Sequence, residues 1–553
     1  MTSRSATEGA SDRSRVYRRR LRALVGGWIL LALACGFRAG QLQLTEAERW
    51  REIARDQNRA RTEIPATRGG IHDRSGEPLA LAAHEFRGYL APSEVRNPAE
   101  AASAVARVLG LDPAHERRLL TREEGWSALP RRVSADERDR LQAAVRRGLH
   151  FERLSSRVFP QGRLARPLLG SVGEDGRGTS GLELALDSLL RGEPGTALSR
   201  KDARGRTYRL PDAEISAPRP GLDVGLTLDA DLQRIAEDAL DRALRETGAS
   251  GGDVLMLAPD TGEILAVASR RAGDAGGLAA FTSPYEPGST LKPFLLASLL
   301  AEGRVELDER VDTEGGSIRR HGRVVRDVHP RDTLTVSEVV RYSSNVGAVK
   351  LADRLEPGLQ FSYLRDFGFG TPTGIGYPSE SGGQLRRPER WSALSQASLA
   401  MGYEISVTSL QLAAAYGALA NGGVLMRPYL LREVRDASGE VVHRGRPEPI
   451  RRVVPDGVAD TVDDVLSGVV EGGTGSRAAL ATLPVAGKTG TARVATGGRY
   501  SEGRYGASFV GYTPIEDPSL VVLIKLDDPQ GEYYGGLTAA PISRSTLQAA
   551  LAT

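Results

Sequence analysis

Cysteine is almost missing from this chain of 553 residues, since Cys35 is the only one. A single thiol excludes a disulfide within the chain and any metal site built from several cysteines. Histidine is scarce as well, and its seven residues are scattered without the His-x-x-x-His spacing typical of metal ligands. The sequence therefore predicts no metal and no other cofactor.

A large excess of one charge is lacking too. The net charge is +3 at pH 7, and seven of the 73 lysines and arginines precede residue 23, so the remainder is close to neutral. Nucleic-acid-binding domains concentrate basic residues on one face, and we expect no nucleic-acid partner. The length, with 40% hydrophobic residues, favours two or three domains with ordinary cores.

Only one long apolar run is evident, at residues 23–37, and Arg38 closes it. As a helix it would span about 22 Å, less than the ~30 Å hydrocarbon core of a bilayer. The flanking arginines can snorkel, and residues 40–44 can extend the helix. We predict one uncleaved transmembrane helix at 23–43. The alternative is a signal peptide cleaved near residues 32–34.

The polar, arginine-rich residues 1–22 are predicted to form a disordered cytoplasmic tail, because positive charge beside a membrane helix stays inside. Everything after residue 44 would then lie outside the cytoplasmic membrane. Residues 191–220 are rich in glycine, proline and charge, and clear helix and strand signals begin soon after them. We therefore divide this part of the chain into domains at 44–220 and 221–553.

Residues 44–220 alternate between helix, turn and strand signals. The predicted elements are a charged amphipathic helix at 44–62, a strand–turn–strand unit at 64–80, a helical region at about 99–148, a short helix at 181–190, and strands and loops at 191–220.

Residues 221–553 predict an antiparallel sheet with a helical cluster packed beside it, an α+β fold. Asp229 stands where a capping residue opens a helix, and a Pro-Asp-Thr-Gly turn joins two apolar runs as a hairpin. The other signals are helices through 333–420 and strands at 483–494, 508–513 and 520–526.

One stretch, from Tyr285 to Pro293, precedes an apolar run and is predicted to open a helix just before Ser289. Ser289 and Lys292 are three residues apart and therefore share one helix face. A neutral lysine there can take the proton of the serine hydroxyl and make it a nucleophile. Ser-x-x-Lys also occurs by chance, and taken alone it is compatible with an ordinary surface helix.

A second segment, Ser343-Ser344-Asn345, offers what an acyl-transfer site needs besides a nucleophile. The hydroxyl of Ser343 can relay a proton to a leaving amine, and the amide of Asn345 can hold a substrate amide. Taken alone, such a segment is common in turns.

The third segment, Lys488-Thr489-Gly490-Thr491, lies on a predicted strand. Gly490 would let a substrate backbone lie close to the strand, and the Lys488 amine with the two threonine hydroxyls would meet a carboxylate. The backbone N–H groups of Thr491 and Ser289 could together form an oxyanion hole.

In this order, Ser-x-x-Lys, Ser-x-Asn and Lys-Thr-Gly are motifs of the penicillin-binding proteins and of the class A β-lactamases. The sequence resembles a class B penicillin-binding protein from the anchor to about residue 548, and it looks most similar to the septal transpeptidase of cell division. The resemblance implies a penicillin-binding transpeptidase fold at 221–553, preceded by an elongated α+β pedestal of the dimerisation type at 44–220.

Further blocks resemble non-catalytic motifs of that family, with Ser75 where Asn is usual and Phe159 in place of Tyr. Blocks 402–408 and 527–536 are similar to the division type in particular. The pedestal motif residues that the resemblance implies are Arg68, Gly69, Asp73, Arg74, Gly76, Arg157, Pro160, Gly181 and Glu183.

By this resemblance, Ser289 attacks the penultimate D-alanine carbonyl of a stem peptide, D-alanine leaves, and an amine of a neighbouring stem takes the acyl group. β-Lactams would acylate the same serine. The implied partners are peptidoglycan stem peptides, a membrane glycosyltransferase and other division proteins at the septum. Burial and the nearby Lys488 are expected to lower the pKa of Lys292.

Other functions stay open at this point. A D,D-carboxypeptidase differs only in using water as the acceptor, and an elongation-type transpeptidase shares the same motifs. A β-lactamase needs a second base, for which Glu389 is the nearest candidate, and Ser344 stands where class A enzymes have Asp. A membrane β-lactam sensor or a division scaffold is the non-enzymatic alternative.

Overall fold

A computed structural model describes residues 6–51, 59–112, 114–115, 127–201, 207–209, 215–271, 273, 277–496 and 499–553. The chain divides into two compact units, one from residues 1–66 and 193–219 and the other from residues 67–192 and 220–553.

The strands follow one another along the described chain as β1 (Arg59–Ile64), β2 (Ile71–His72), β3 (Pro78–Leu90), β4 (Ser127–Ala128), β5 (Leu149–Val158), β6 (Ser171–Val172), β7 (Gly178–Ser180), β8 (Gly195–Lys201), β9 (Thr207–Arg209), β10 (Ile215–Ser216), β11 (Asp223–Leu226), β12 (Gly251–Leu257), β13 (Ile264–Arg271), β14 (Arg310–Asp312), β15 (Ser317–Arg320), β16 (Arg323–Arg326), β17 (Thr333–Thr335), β18 (Gln384–Leu385), β19 (Ile405–Ser406), β20 (Val424–Met426), β21 (Leu431–Arg435), β22 (Val441–Arg444), β23 (Pro449–Arg452), β24 (Ala486–Thr496), β25 (Arg499–Thr513) and β26 (Leu520–Asp527).

The α-helices are α1 (Ala6–Gly40), α2 (Pro98–Leu109), α3 (Ala135–Ala144), α4 (Arg166–Leu169), α5 (Gly181–Ala185), α6 (Asp187–Leu190), α7 (Ala230–Thr247), α8 (Ala279–Thr282), α9 (Lys292–Ala301), α10 (Val336–Arg341), α11 (Asn345–Ala352), α12 (Pro357–Asp366), α13 (Ser395–Ala400), α14 (Ser409–Ala420), α15 (Asp456–Gly472) and α16 (Ala539–Ala550). Short 3-10 turns include Gly288–Leu291, directly before α9.

The first unit contains α1 and a small antiparallel sheet. A π-helical turn at Gln41–Thr45 continues α1, and the stretch Val16–Thr45 is long and apolar enough to cross a membrane. In the sheet, β8 pairs with β1, β9 and β10.

Two predictions for this unit were wrong. Residues 6–22, predicted to be disordered, are helical and continuous with the apolar run. Extending an existing helix adds one hydrogen bond per residue without a new nucleus, and the alanines and arginines here are good helix formers. Residues 59–62, predicted to be helical, belong to β1 because their backbone pairs with β8. The intervening residues 52–58 lie outside the described residues.

The second unit begins with a sheet in the order β22-β21-β11-β2-β3-β4, and β5 pairs with β3 over ten residues. The helices α2 and α3 bury a separate apolar cluster with this strand pair, formed by residues such as Val105, Leu141 and Phe86. The region predicted to be helical at 99–148 thus contains two helices with β4 between them, while residues 113 and 116–126 lie outside the described residues.

The centre of the second unit is a five-stranded antiparallel sheet in the order β13-β12-β26-β25-β24. The predicted hairpin β12–β13, the three late strands and the helix cap at Asp229 are confirmed. The strand β25 starts at Arg499 rather than at 508, because it forms a hairpin with the far end of β24.

Helices cover both faces of this sheet. The strand β12 is buried along its whole length, with α7 and α16 packed on one face and α14 in the core on the other. Every residue of α14 is buried, as expected of a helix that is apolar on all sides. The sheet and this helical layer confirm the predicted α+β fold.

Candidate active site

Ser289 lies in the 3-10 turn Gly288–Leu291, which runs directly into α9. Pro293 occupies the first turn of α9, where its missing N–H leaves no hydrogen bond unmade. Residues three apart eclipse one another in a 3-10 turn, so Ser289 and Lys292 share one side of this element. Ser289 remains partly exposed, whereas its neighbours Thr290 and Leu291 are buried.

Lys292 is buried and is held by the Ser-Ser-Asn segment. Its Nζ donates to the backbone oxygen of Ser343 at 2.7 Å, to Ser343 Oγ at 3.1 Å and to Asn345 Oδ1 at 2.9 Å. Among the hydrogen bonds of the described residues, none joins Lys292 Nζ to Ser289 Oγ. The amine therefore faces the Ser-Ser-Asn segment, whose bonded residues are 51 to 53 positions further along the chain.

Burial lowers the pKa of Lys292 to about 7, and the carboxylate of Asp327 opposes this shift. A substantial fraction of the side chain is therefore a neutral amine near neutral pH. A neutral amine has a free electron pair and can accept a proton, which an ammonium cannot do. The arrangement thus supplies a base one turn along the same element from Ser289.

The Ser-Ser-Asn segment is shaped by Asp327, a residue that the sequence analysis did not identify. Asp327 accepts hydrogen bonds from Ser344 Oγ at 2.6 Å, from the backbone N–H of Asn345 at 2.5 Å and from that of Val346 at 2.9 Å. A carboxylate at the N-terminus of α11 also suits the helix dipole. The sequence feature that could have drawn attention to Asp327 is its position directly after the hairpin β15–β16.

Ser343 has a φ of +60°, a conformation that non-glycine residues rarely adopt. The bonds from Ser344 to Asp327 and from Lys292 to Ser343 hold this conformation. Backbone strain of this kind persists where the surroundings impose it, and it clusters at functional sites. The strain orients the Ser343 carbonyl and hydroxyl toward Lys292.

The third segment lies on β24, the edge strand of the five-stranded sheet. A Cβ on Gly490 would lie 2.8 Å from the oxygen of Pro287, and one on Gly288 would lie 2.9 Å from the oxygen of Thr491. These distances are too short for real Cβ atoms, so glycine is required where the strand crosses the Ser289 turn. The three predicted segments are therefore brought together.

Lys488 is fully buried, and its Nζ donates to the backbone oxygen of Thr489 at 3.2 Å. Burial and then the charge of Lys292 lower its pKa. The sequence predicts that burial and repulsion by Lys488 both lower the pKa of Lys292. Burial does lower it, whereas the repulsion lowers the pKa of Lys488 instead. Thr489 Oγ1 also lies 2.8 Å from Thr474 Oγ1, a neighbour that sequence reasoning missed.

Two blocks outside the three motifs pack against them. The N–H of Gly288 donates to the oxygen of Gly402 at 3.1 Å, and the N–H of Glu404 donates to Glu286 Oε1 at 2.9 Å. On the other side, the N–H of Gly535 donates to Thr491 Oγ1 at 3.0 Å. Both blocks therefore support the backbone that carries the site residues.

Tyr416, on the buried helix α14, is another supporting residue that sequence reasoning missed. Its hydroxyl donates to the backbone oxygen of Thr290 at 2.8 Å, and its ring packs edge-on against Phe294.

Glu389, the candidate second base, lies exposed in a 3-10 turn. No hydrogen bond of the described residues links Glu389 to Ser289 or Lys292.

The non-catalytic motif residues form a buried ion cluster. Glu183 accepts hydrogen bonds from Arg68 Nε at 2.7 Å and from Arg157 Nε at 2.6 Å. Arg68 also donates to Asp187 at 2.6 Å, and Arg157 donates to the oxygen of Gly69 at 2.6 Å. The cluster connects the segment before β2 to the end of β5 and to α5. Asp187 belongs to this cluster but was not among the predicted motif residues.

The remaining motif residues shape turns. Asp73 accepts from the N–H groups of Ser75, Glu77 and Ala230, and these bonds keep its pKa low against the opposing effect of burial. Arg74 pairs with Glu263 at 3.2 Å. Gly76 and Gly181 have positive φ angles, and Pro160 is exposed.

Comparisons with known proteins cover nearly the whole chain. The model of the penicillin-binding protein transpeptidase domain matches residues 252–548, and that of the penicillin-binding protein dimerisation domain matches residues 63–226.

Similar proteins include stage V sporulation protein D of Bacillus subtilis, which is 32% identical over 97% of this chain and 85% of its own length. Peptidoglycan D,D-transpeptidase FtsI of Escherichia coli is 30% identical over 96% of this chain and 91% of its own. The crystal structure of penicillin-binding protein 3 of Mycobacterium tuberculosis, complexed with aztreonam, has a TM-score of 0.69 at 29% identity and covers 89% of this chain and 96% of that chain.

Proposed function

The chain belongs to the class B penicillin-binding proteins and is a peptidoglycan D,D-transpeptidase of septal cell-wall synthesis, and we propose that it works through an acyl-enzyme on Ser289. The observation that carries this mechanism is the buried Lys292, whose lowered pKa leaves a neutral amine beside the serine turn.

In the acylation step, Lys292 Nζ takes the proton of Ser289 Oγ, and this oxygen bonds to the carbonyl carbon of the penultimate D-alanine. The backbone N–H groups of Ser289 and Thr491 stabilise the negative oxygen of the tetrahedral intermediate. The peptide C–N bond then breaks. The proton passes through Ser343 Oγ, a partner of Lys292, to the nitrogen of the departing D-alanine.

In the second step, an amine of a neighbouring stem peptide attacks the ester carbonyl. The amine loses a proton to the same relay, the C–O bond breaks, and Ser289 regains its hydroxyl. The product is a new amide that crosslinks two stems. β-Lactams enter the same first step, because their strained amide presents its carbonyl to Ser289.

The edge of β24 is proposed to bind the donor peptide as an added strand. Its backbone pairs with β25 on one side, which leaves its other side for hydrogen bonds with an extended peptide. Gly490 would let the peptide lie close. Lys488, Thr489 and Thr491 would bind its terminal carboxylate, whose negative charge offsets the cost of ionising the buried Lys488.

The N-terminal helix is proposed to anchor the enzyme in the cytoplasmic membrane. The arginines before Leu24 would remain in the cytoplasm, so the second unit would lie outside the cytoplasm, and its proposed location there is the septum. There we propose that the chain works with a membrane glycosyltransferase, which makes the glycan strands, and with other division proteins. The pedestal at 44–220 and the transpeptidase domain at 221–553 remain the proposed boundaries.

Mass spectrometry of the penicillin-treated full-length protein tests the nucleophile. We expect one stable adduct on the peptide that contains Ser289 and none in the Ser289→Ala variant. An adduct on another residue would refute the assignment. A donor peptide supplied with an amine acceptor should give crosslinked product, and release of D-alanine without crosslinking would indicate a D,D-carboxypeptidase instead.

A further inference from the structure

A small cavity lies beside the buried ion cluster, away from the residues of the proposed mechanism. Its volume is about 240 Å³. Its lining includes Arg157 and Phe159 at the end of β5, Arg166 at the start of α4, and the rim residues Glu85, Arg132 and Glu174.

Two guanidinium groups that line this cavity have unused donors. Arg157 donates from Nε to Glu183 and from Nη1 to the oxygen of Gly69, while its buried Nη2 has no hydrogen-bond partner among the described residues. The Arg157 side chain is only 4% exposed. Arg166 lies over the ring of Phe159, and its Nη1 is also buried, with no partner in the part of the chain that the structure describes.

Such donors are costly in a folded protein. A buried polar group without a hydrogen bond has lost its hydration and gained nothing in return, which destabilises the folded state. Burial also lowers the pKa of both arginines, with Glu183 opposing that shift in each case. An acceptor with negative charge would satisfy both donors and stabilise both cations.

The geometry points to a site for one carboxylate, contributed by an aspartate or glutamate side chain of a partner protein. Two unused N–H donors match the two oxygens of a carboxylate. The rim already carries two carboxylates, Glu85 and Glu174, each paired with Arg132. These disfavour a doubly charged phosphate, whereas a mixed, exposed rim of this kind is typical of protein interfaces.

The test measures the unfolding midpoint of the full-length protein at constant ionic strength. The probe is N-acetyl-aspartate N-methylamide, compared with the neutral asparagine analogue, inorganic phosphate and the dipeptide L-Ala-γ-D-Glu. A ligand that binds only the folded state raises the unfolding midpoint by an amount set by the ratio of its concentration to its Kd. We therefore expect a saturable rise of the midpoint with the aspartate probe and no rise with the asparagine analogue.

Arg166→Gln should abolish the rise, and penicillin labelling of this variant shows that it is folded. Arg177→Gln is the matched control, because Arg177 pairs with Asp175 on the exposed surface. An equal rise with the asparagine analogue, or an undiminished rise in Arg166→Gln, would overturn the site. A larger rise with phosphate or with the stem dipeptide would overturn the assignment to a protein carboxylate.

Discussion

Lys292 is the residue on which the proposed chemistry depends. Replacing it by alanine removes the base, and general bases contribute about 10²–10⁴-fold to rate. We therefore expect Lys292→Ala to remain folded but to lose acylation by a fluorescent penicillin, measured by gel fluorescence over time. Normal labelling of this variant would exclude Lys292 as the base.

The pH dependence follows from the same side chain. Only the neutral form accepts a proton, and the pKa is lowered to about 7. The acylation rate constant should therefore rise with pH through about 7 and level off above it, in stopped-flow measurements with a chromogenic cephalosporin. A rate that keeps rising toward pH 10 would mean that burial does not lower the pKa of this lysine in the working enzyme.

Tyr416 is a positioning residue, since its hydroxyl holds the backbone of the Ser289 turn. Tyr416→Phe keeps the ring packing and should slow the acylation step by about three- to tenfold, the effect of one hydrogen bond of about 1 kcal/mol. The dissociation constant of the non-covalent penicillin complex should stay the same.

Tyr512→Phe provides the control for this variant. Tyr512 is equally buried, and its hydroxyl binds Asp463 rather than the serine turn. An equal loss of acylation rate in both variants would show that the effect of Tyr416 is general destabilisation.

At the scale of elements, the contact between β24 and the Ser289 turn positions the nucleophile. A Cβ at Gly490 would lie 2.8 Å from the oxygen of Pro287 and from Thr290 Cγ2, so Gly490→Ala must displace the strand or the turn. Displacements of about 1 Å in a catalytic site can cost about 10²-fold, and we expect acylation to slow by up to that factor.

Gly457→Ala, in the helix α15, is the matched change, because nothing lies within 4 Å of its added Cβ. This variant should label normally and melt at the same temperature or slightly higher. Normal acylation by Gly490→Ala would show that the close contact at the strand is dispensable.

The ion cluster at Glu183 joins three parts of the chain: the segment before β2, the end of β5 and the helix α5. Glu183 is fully buried and binds both Arg68 and Arg157, and breaking a buried ion pair costs about 3–5 kcal/mol because a charge is left unpaired. Glu183→Gln should therefore lower the unfolding midpoint strongly in calorimetry. Asp175→Asn, whose ion pair with Arg177 is exposed, should change it little, and similar midpoints for the two variants would contradict the structural role.

At the scale of the whole molecule, the proposed anchor helix and the proposed site lie in different compact units. Deleting residues 1–45 should move the protein from the membrane fraction to the soluble fraction and leave the penicillin acylation rate unchanged, as measured after fractionation. Retention in the membrane fraction would place a membrane contact elsewhere, and loss of acylation would show that the site depends on the helix.

The sequence by itself determined the elements with strong local signals and supplied the residue types of the three motifs, from which the chemistry is proposed. The cap at Asp229, the hairpin β12–β13 and the turn at Ser289 depend on neighbouring residues, and such signals survive in any fold that uses them. Local signals failed where pairing with distant residues decides the outcome, as at residues 59–62 of β1, which the sequence predicts as helix and which β8 holds as a strand.

Only the tertiary structure decided how the residues of the proposed site are held together. Asp327, Tyr416 and Asp187 are ordinary residues in the sequence and acquire their roles through contacts with residues 17 to 126 positions away. The pKa of Lys292 depends on burial, which is a property of the assembled core and not of the Ser-x-x-Lys motif itself. Packing and desolvation arise when distant segments meet, and for that reason they cannot be inferred from local sequence alone.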